Sequence, residues 1–231
     1  MTLQPPLHVP LEQYDPNVPR TAHSHLAAVL YGEILKPAES VLNVAAGNTE
    51  LARDLYDMGM GGPSVTSLDA MEGYGDRRSD RVHGLAQAMP FEDGKFSMTL
   101  CQFAAQHMTS EVLGGTIREM VHVTQRADSE EDGTKGVILL NPVFRQSRLE
   151  KLLQEAGLGD VAGVTEHERA HIPVDQRRLV YPTLWIHKHD GLTEERLQVL
   201  TNVVAGSDAM KPTRRSLGEL AVRVFGGHST S

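Results

Sequence analysis

The chain has 231 residues, 40% hydrophobic and 23% charged, with 22 Lys+Arg against 30 Asp+Glu and a formal net charge of -8. Those fractions suit one globular domain with a sizeable core and exclude disorder throughout, while the acidic balance argues against a nucleic-acid partner. The single cysteine, Cys101, excludes an internal disulfide and a cysteine-based zinc cluster. No apolar run approaches the roughly 20 residues of a membrane span, and the N-terminus lacks the basic and apolar regions of a signal peptide. A cytoplasmic protein with no membrane partner is expected.

Residues 1–20 carry five prolines, Pro5, Pro6, Pro10, Pro16 and Pro19, and read as an extended arm because proline stops helices and central strands. Residues 21–36 turn helical, with Leu26, Val29, Leu30 and Ile34 on one face, and Pro37 closes the segment. An alternation of short apolar runs and helical patterns follows. Strands are expected at Val41–Ala46, Val65–Leu68, weakly at Val82–Leu85, then at Phe96–Phe103 and Val137–Asn141. Helices are expected at Glu50–Met58 (Leu51, Leu55, Met58 aligned) and Thr109–Thr124 (Leu113, Ile117, Met120, Val121). Ser147 is placed to cap a third helix carrying Leu149, Leu152, Leu153 and Ala156, with Gly157 at its C′ position. The acidic run Ala127–Thr134 reads as a solvated loop. Val161–Thr165 and Leu179–His187 form a late pair of strands.

Strands spaced by helices of this length predict a doubly wound α/β sheet covered on both faces. From His189 the strands stop. Thr193 caps a helix with Leu197, Leu200 and Val204 on one side, and Ser216-Leu217-Gly218-Glu219 has the capping-box pattern. The chain thus divides into an arm at 1–20, a domain at 21–189 and a helical appendage at 190–231. The appendage is too small for its own core and is expected to pack on the domain, in a dimer, or on a protein partner.

In an open parallel sheet, ligands bind beyond the carboxyl ends of the strands. Ala45-Ala46-Gly47-Asn48-Thr49 follows the first strand there, and Gly47 can adopt angles closed to other residues. Asp69 ends the second strand, where a carboxylate can accept hydrogen bonds from both hydroxyls of a ribose. The Gly47–Asp69 separation is about the 20 residues of nucleotide-binding α/β units.

The segments VLNVAAGN, LDA, GLAQAMPFEDGKF and CQFAAQHM, taken in that order, closely resemble the motifs of class I S-adenosylmethionine (SAM)-dependent methyltransferases, and within them the small-molecule type 11 group. The resemblance covers about residues 25–188. It implies a Rossmann-like, seven-stranded, mostly parallel sheet closed by an antiparallel hairpin, with SAM as cofactor and a small molecule or protein side chain as methyl acceptor. Asn43, Ala45, Gly47 and Asn48 match the turn under the methionine portion and ribose of SAM. Asp69 matches the acid that holds the ribose hydroxyls, with Ala70 and Met71 beside the adenine and Leu85 and Ala86 at its edge. Phe103 to His107 match the loop near the sulfonium and the acceptor, which makes His107 the candidate general base.

Five positions depart from the family pattern. Asn43, Leu85 and Ser97 stand where acids are usual, and Ala45 and Thr49 where glycine is usual. The alternative function is therefore a non-catalytic methyltransferase-fold protein that serves as a partner or scaffold. A nicotinamide dehydrogenase would need G-x-G-x-x-G, and the loop gives A-x-G-x-T. His167 and His171 have metal-pair spacing without a third ligand, so no metal is expected. Asn141-Pro142-Val143-Phe144 follows the wrong strand for the loop of nucleic-acid amino methyltransferases. Lys211 with Arg214-Arg215 reads as a solvated face, Cys101 as core, and Tyr181 and Trp185 as packing.

Overall fold

The computed structural model describes residues 27–212 apart from 29, 33, 36, 48, 58–62, 76–77, 129–134 and 168–179. The elements run β1 (Ser40–Val44), α1 (Leu51–Asp57), β2 (Ser64–Asp69), β3 (Arg81–His83), β4 (Met98–Gln102), a 3₁₀ turn (Ala105–His107), α2 (Ser110–Val123), β5 (Val137–Asn141), α3 (Gln146–Glu155), β6 (Ala162–Thr165), β7 (Thr183–His187) and α4 (Glu194–Gly206). The seven strands form one sheet in the order β3-β2-β1-β4-β5-β7-β6. β1 to β5 pair in parallel, and β7 runs antiparallel to both β5 and β6. Strand order reverses at β1, between β2 and β4, so the crevice above β1 is the place where a ligand can enter.

Alternation along the strands sorts the core into two layers. Leu42, Val44, Leu68, Cys101, Ile138, Leu140, Leu184 and Ile186 meet α2, α3 and α4 on one face. Val41, Val65, Met98, Leu100 and Leu139 meet α1 and the helical positions near residues 27–35 on the other. The sheet is therefore doubly wound, as the sequence predicts.

Local chemistry sets the helix ends. Thr109 and Thr193 cap α2 and α4, each hydroxyl accepting a backbone N–H three residues on. α3 ends in a Schellman turn, with Gly157 at φ 67°, its N–H donating to Gln154 and that of Leu158 to Leu153. Its start is not as expected. Ser147 lies inside α3, and Arg145 at the N-cap position makes no side-chain cap. The Phe144 and Arg145 N–H groups donate instead to the Ala209 carbonyl, so a distant backbone segment pins this end.

The first helical face is corrected in part: Leu26 and Val29 lie outside the described residues, and Leu30 is half-buried against the core. Ala27, Ala28, Tyr31 and Leu35 are buried, whereas Ile34 is 39% exposed. The helix turns small residues and one tyrosine to the sheet, because Tyr31 finds a buried hydroxyl partner in Thr183 at 2.7 Å. Leu179 lies outside the described residues and Val180–Pro182 are not strand, so β7 begins later than expected, at Thr183.

α4 does not stand apart. Leu197, Leu200 and Val204, followed by Ala209 and Met210, enter the main core. The arm at 1–20, Arg214-Arg215 and the Ser216–Glu219 pattern lie outside the described residues. No described helix is long and apolar enough to cross a membrane.

Candidate functional site

At the carboxyl end of β1 the chain turns back through two left-handed positions, Ala45 at φ 52° and Gly47 at φ 56°. For Ala45 this geometry costs about 1–2 kcal/mol, and the surrounding hydrogen bonds hold it. The Ala46 N–H donates to the Leu68 carbonyl across to β2 (3.0 Å). The Gly47 N–H donates to Asp69 Oδ2 at 2.7 Å, and the Met71 N–H to Asp69 Oδ1 at 2.9 Å. One carboxylate thus ties the β1 loop to the β2 loop.

Asn43 and Thr49, which depart from the family pattern, are partners. Asn43 is 5% exposed, and its Nδ2 donates to Thr49 Oγ1 at 3.0 Å. That hydroxyl donates in turn to the Ala46 carbonyl at 2.8 Å. An amide where an acid is usual is matched to a hydroxyl where glycine is usual, and the pair braces the turn from inside. The next residue, Glu50, is held by Arg78 at 2.7 Å and Arg81 at 2.5 Å, which fixes the start of α1 against β3. Ser97, another position where the resemblance leads one to expect an acid, is fully buried and exchanges hydrogen bonds with Ser40.

The remaining predicted residues spread around this centre. Asn48 lies outside the described residues. The Ala70 carbonyl lies 3.3 Å from His83 Nε2, and Met71 is 39% exposed. Leu85 forms a bridge with Ala88 in a tight turn, and Ala86 packs partly on the main core. Phe103 follows β4 at φ 56°, rare for a bulky residue and a mark of local strain. Its N–H donates to the Asn141 carbonyl at 2.7 Å, and its ring meets Tyr181 edge-on at 6.4 Å.

His107 ends the 3₁₀ turn after β4, with its Nε2 2.9 Å from Gln106 Nε2. Between two nitrogens only one arrangement bonds, with the Gln106 amide donating to an unprotonated ring nitrogen. Much of the side chain reaches solvent. Neighbouring atoms nevertheless desolvate the ring enough to lower its pKa, with the Lys211 charge as the second cause. Cys101 is fully buried, which pushes its thiol up to about 12 and leaves it no role as a nucleophile. Among the described residues no cluster of His, Cys, Asp or Glu could hold a metal, and His171 lies outside them.

The structure joins two residues that the sequence reading weighed for other roles, Asn141 and His167, to two that it left out, Tyr31 and Thr183. Buried Asn141, Thr183 and Tyr31 form a polar knot with half-buried His167 at the ends of β5 and β7. Thr183 Oγ1 lies 2.7 Å from Tyr31 Oη, 2.7 Å from His167 Nε2 and 3.1 Å from Asn141 Nδ2. The only sequence signal was a polar residue closing the apolar run VILLN, because the four members come from segments far apart in the chain.

No family model and no curated protein matches this sequence. Solved structures do. The 1,6-didemethyltoxoflavin-N1-methyltransferase of Burkholderia thailandensis, solved with 1,6-didemethyltoxoflavin and S-adenosylhomocysteine bound, is 18% identical over 74% of this chain and 80% of its own, with a TM-score of 0.49. A SAM-dependent methyltransferase of Thermotoga maritima is 14% identical over 59% of each chain, with a TM-score of 0.37. The YcgJ protein of Bacillus subtilis is 19% identical over 58% of this chain, with a TM-score of 0.39, and this chain spans 57% of its length. The chain's own sheet, parallel from β3 to β5 with β7 inserted antiparallel beside β6, carries the fold assignment. The fold is Rossmann-like, of the methyltransferase type.

Proposed function

We propose that the chain is a SAM-dependent methyltransferase acting on a small molecule or a protein side chain. The observation that carries this reading is the Asp69 carboxylate bonded to the Gly47 N–H across the crevice above β1. The residues fit a nucleoside. Each Asp69 oxygen accepts one backbone N–H and keeps a second lone pair, enough for two ribose hydroxyls. A Cβ built on Gly47 meets no atom within 4 Å, so the space above the turn is open to a ligand.

In this reading Asp69 holds the ribose, Ala45, Gly47 and Asn48 lie under the sugar and the methionine portion, and Asn43 braces the turn. Ala70, Met71, Leu85 and Ala86 flank the adenine, and Phe103 borders the acceptor. SAM, when bound, supplies a methyl group on a positive sulfur that needs no further activation. The chain's own work is then alignment and exclusion of water. His107 serves as proton acceptor only where the methyl acceptor must lose a proton. Its Nε2 lone pair is engaged by Gln106, so that amide must first swing away.

Calorimetric titration with SAM and S-adenosylhomocysteine tests the reading. Binding that weakens by about 1–3 kcal/mol in Asp69→Ala supports it, and no heat at millimolar concentrations of either ligand overturns it. The second reading, a non-catalytic scaffold, is favoured by the loop being braced without a ligand through Asn43 and Thr49. A stable complex through residues 190–231, with no cofactor bound, would support it, and methyl transfer to any acceptor would remove it.

A further inference from the structure

Gln102 ends β4 and Asn141 ends β5, and the two face each other in register in a parallel ladder. Side chains in register share one face of the sheet. Here it is the face of Leu100 and Leu139, away from α2. Asn141 is 1% exposed. Its Nδ2 donates to the carbonyls of Tyr181 (2.9 Å) and Pro182 (3.3 Å) and to Thr183 Oγ1 (3.1 Å). Two backbone carbonyls can only accept, so the amide orientation is fixed and Oδ1 is the free end. That buried Oδ1 finds no hydrogen-bond donor, and the buried Gln102 Nε2 finds no acceptor. A donor and a complementary acceptor thus sit on two residues that are neighbours in the β4–β5 ladder, and neither bonds any described atom. Each buried unpaired group costs about 1–3 kcal/mol, a cost that a bound molecule bridging both would remove.

The surroundings are aromatic. Phe103 follows Gln102 directly, in its strained left-handed turn. Tyr181, whose carbonyl caps the Asn141 amide, meets Phe103 at 6.4 Å and Phe144 at 5.0 Å. All three rings are half-buried.

We infer that Gln102 and Asn141 form a recognition site for a planar lactam or carboxamide edge on the methyl acceptor. Its carbonyl accepts from Gln102 Nε2, its neighbouring N–H donates to Asn141 Oδ1, and its ring lies among Phe103, Phe144 and Tyr181. This deepens the methyltransferase reading and rests on it for the word acceptor, but the binding claim stands on the two unpaired atoms alone.

The test uses the full chain, with and without S-adenosylhomocysteine, titrated with 2-pyridone, 1-methyl-2-pyridone and pyridine by ligand-observed NMR. Binding of 2-pyridone is expected, weakened about fivefold or more when the ring N–H is methylated and again in Gln102→Met, the worth of one hydrogen bond each. The Gln102→Met variant is also expected to melt higher than wild type, because it removes a buried unpaired donor. That rise shows the variant is folded, so a loss of binding cannot be blamed on unfolding. Equal binding of the two pyridones, no binding of 2-pyridone up to its solubility, or an unaffected Gln102→Met overturns the inference. If S-adenosylhomocysteine still binds, only the acceptor site falls. If it does not bind while 2-pyridone does, the cofactor reading falls and the lactam site survives.

Discussion

Asn43 donates its side-chain amide to the Thr49 hydroxyl, and through it to the Ala46 carbonyl. Two departures from the family pattern that look like independent losses in sequence are one interaction in space. Together they form a neutral brace inside the turn after β1.

That brace is measurable. Asn43→Ala and Thr49→Ala are each expected to lower stability by about 1 kcal/mol, and the double variant by less than their sum, because each single change already breaks the shared bond. Urea denaturation of the four proteins gives the coupling. Strict additivity would show that the pair is not a unit.

Gly47→Ala separates folding from binding. At φ 56° an alanine costs about 1–2 kcal/mol of backbone strain, yet its methyl meets no atom of the protein within 4 Å. It projects into the space assigned to the cofactor. A modest loss in melting temperature with a larger loss of S-adenosylhomocysteine affinity is expected. An affinity loss no larger than the stability loss would count against the proposed cofactor contact at Gly47.

Gly163→Ala probes the hairpin. A Cβ there would lie 2.7 Å from the Trp185 ring, across the β6–β7 pair. The ring must shift, and overpacking of this kind costs about 1–3 kcal/mol. Thermal unfolding followed by tryptophan fluorescence reads it directly, because Trp185 is the only tryptophan. A variant with unchanged melting and emission would contradict this register.

The polar knot gives a pH dependence. Desolvation lowers the pKa of His167 in the folded chain, while the unfolded chain keeps the ordinary value of about 6.5. The unfolded state therefore binds more protons in the window just below 6.5, and stability falls as pH falls through it. His107, lowered by desolvation and then by Lys211, adds in the same direction. Denaturation midpoints at neutral and mildly acidic pH should differ, and His167→Gln should remove part of the slope. An identical slope in that variant would free His167 from the account.

The sequence by itself determined the order of strands and helices and the apolar faces of α2 and α4. Period and capping residues are local properties, and Leu113, Ile117, Leu200 and Val204 are buried where the pattern puts them. It also placed Gly47 and Asp69 beside the same crevice, because in a parallel sheet the residue that ends a strand lies at the carboxyl edge whatever else happens. Tertiary structure decided what strand order and register alone can bring together. The brace between Asn43 and Thr49, the Tyr31 side of the first helix and the start of α3 against Ala209 each depend on a contact or rotation that periodicity leaves open. The Gln102–Asn141 pair is the sharpest case. Only the β4–β5 register makes these two amides neighbours, and only the carbonyls of Tyr181 and Pro182, some 40 residues on, turn the Asn141 oxygen free.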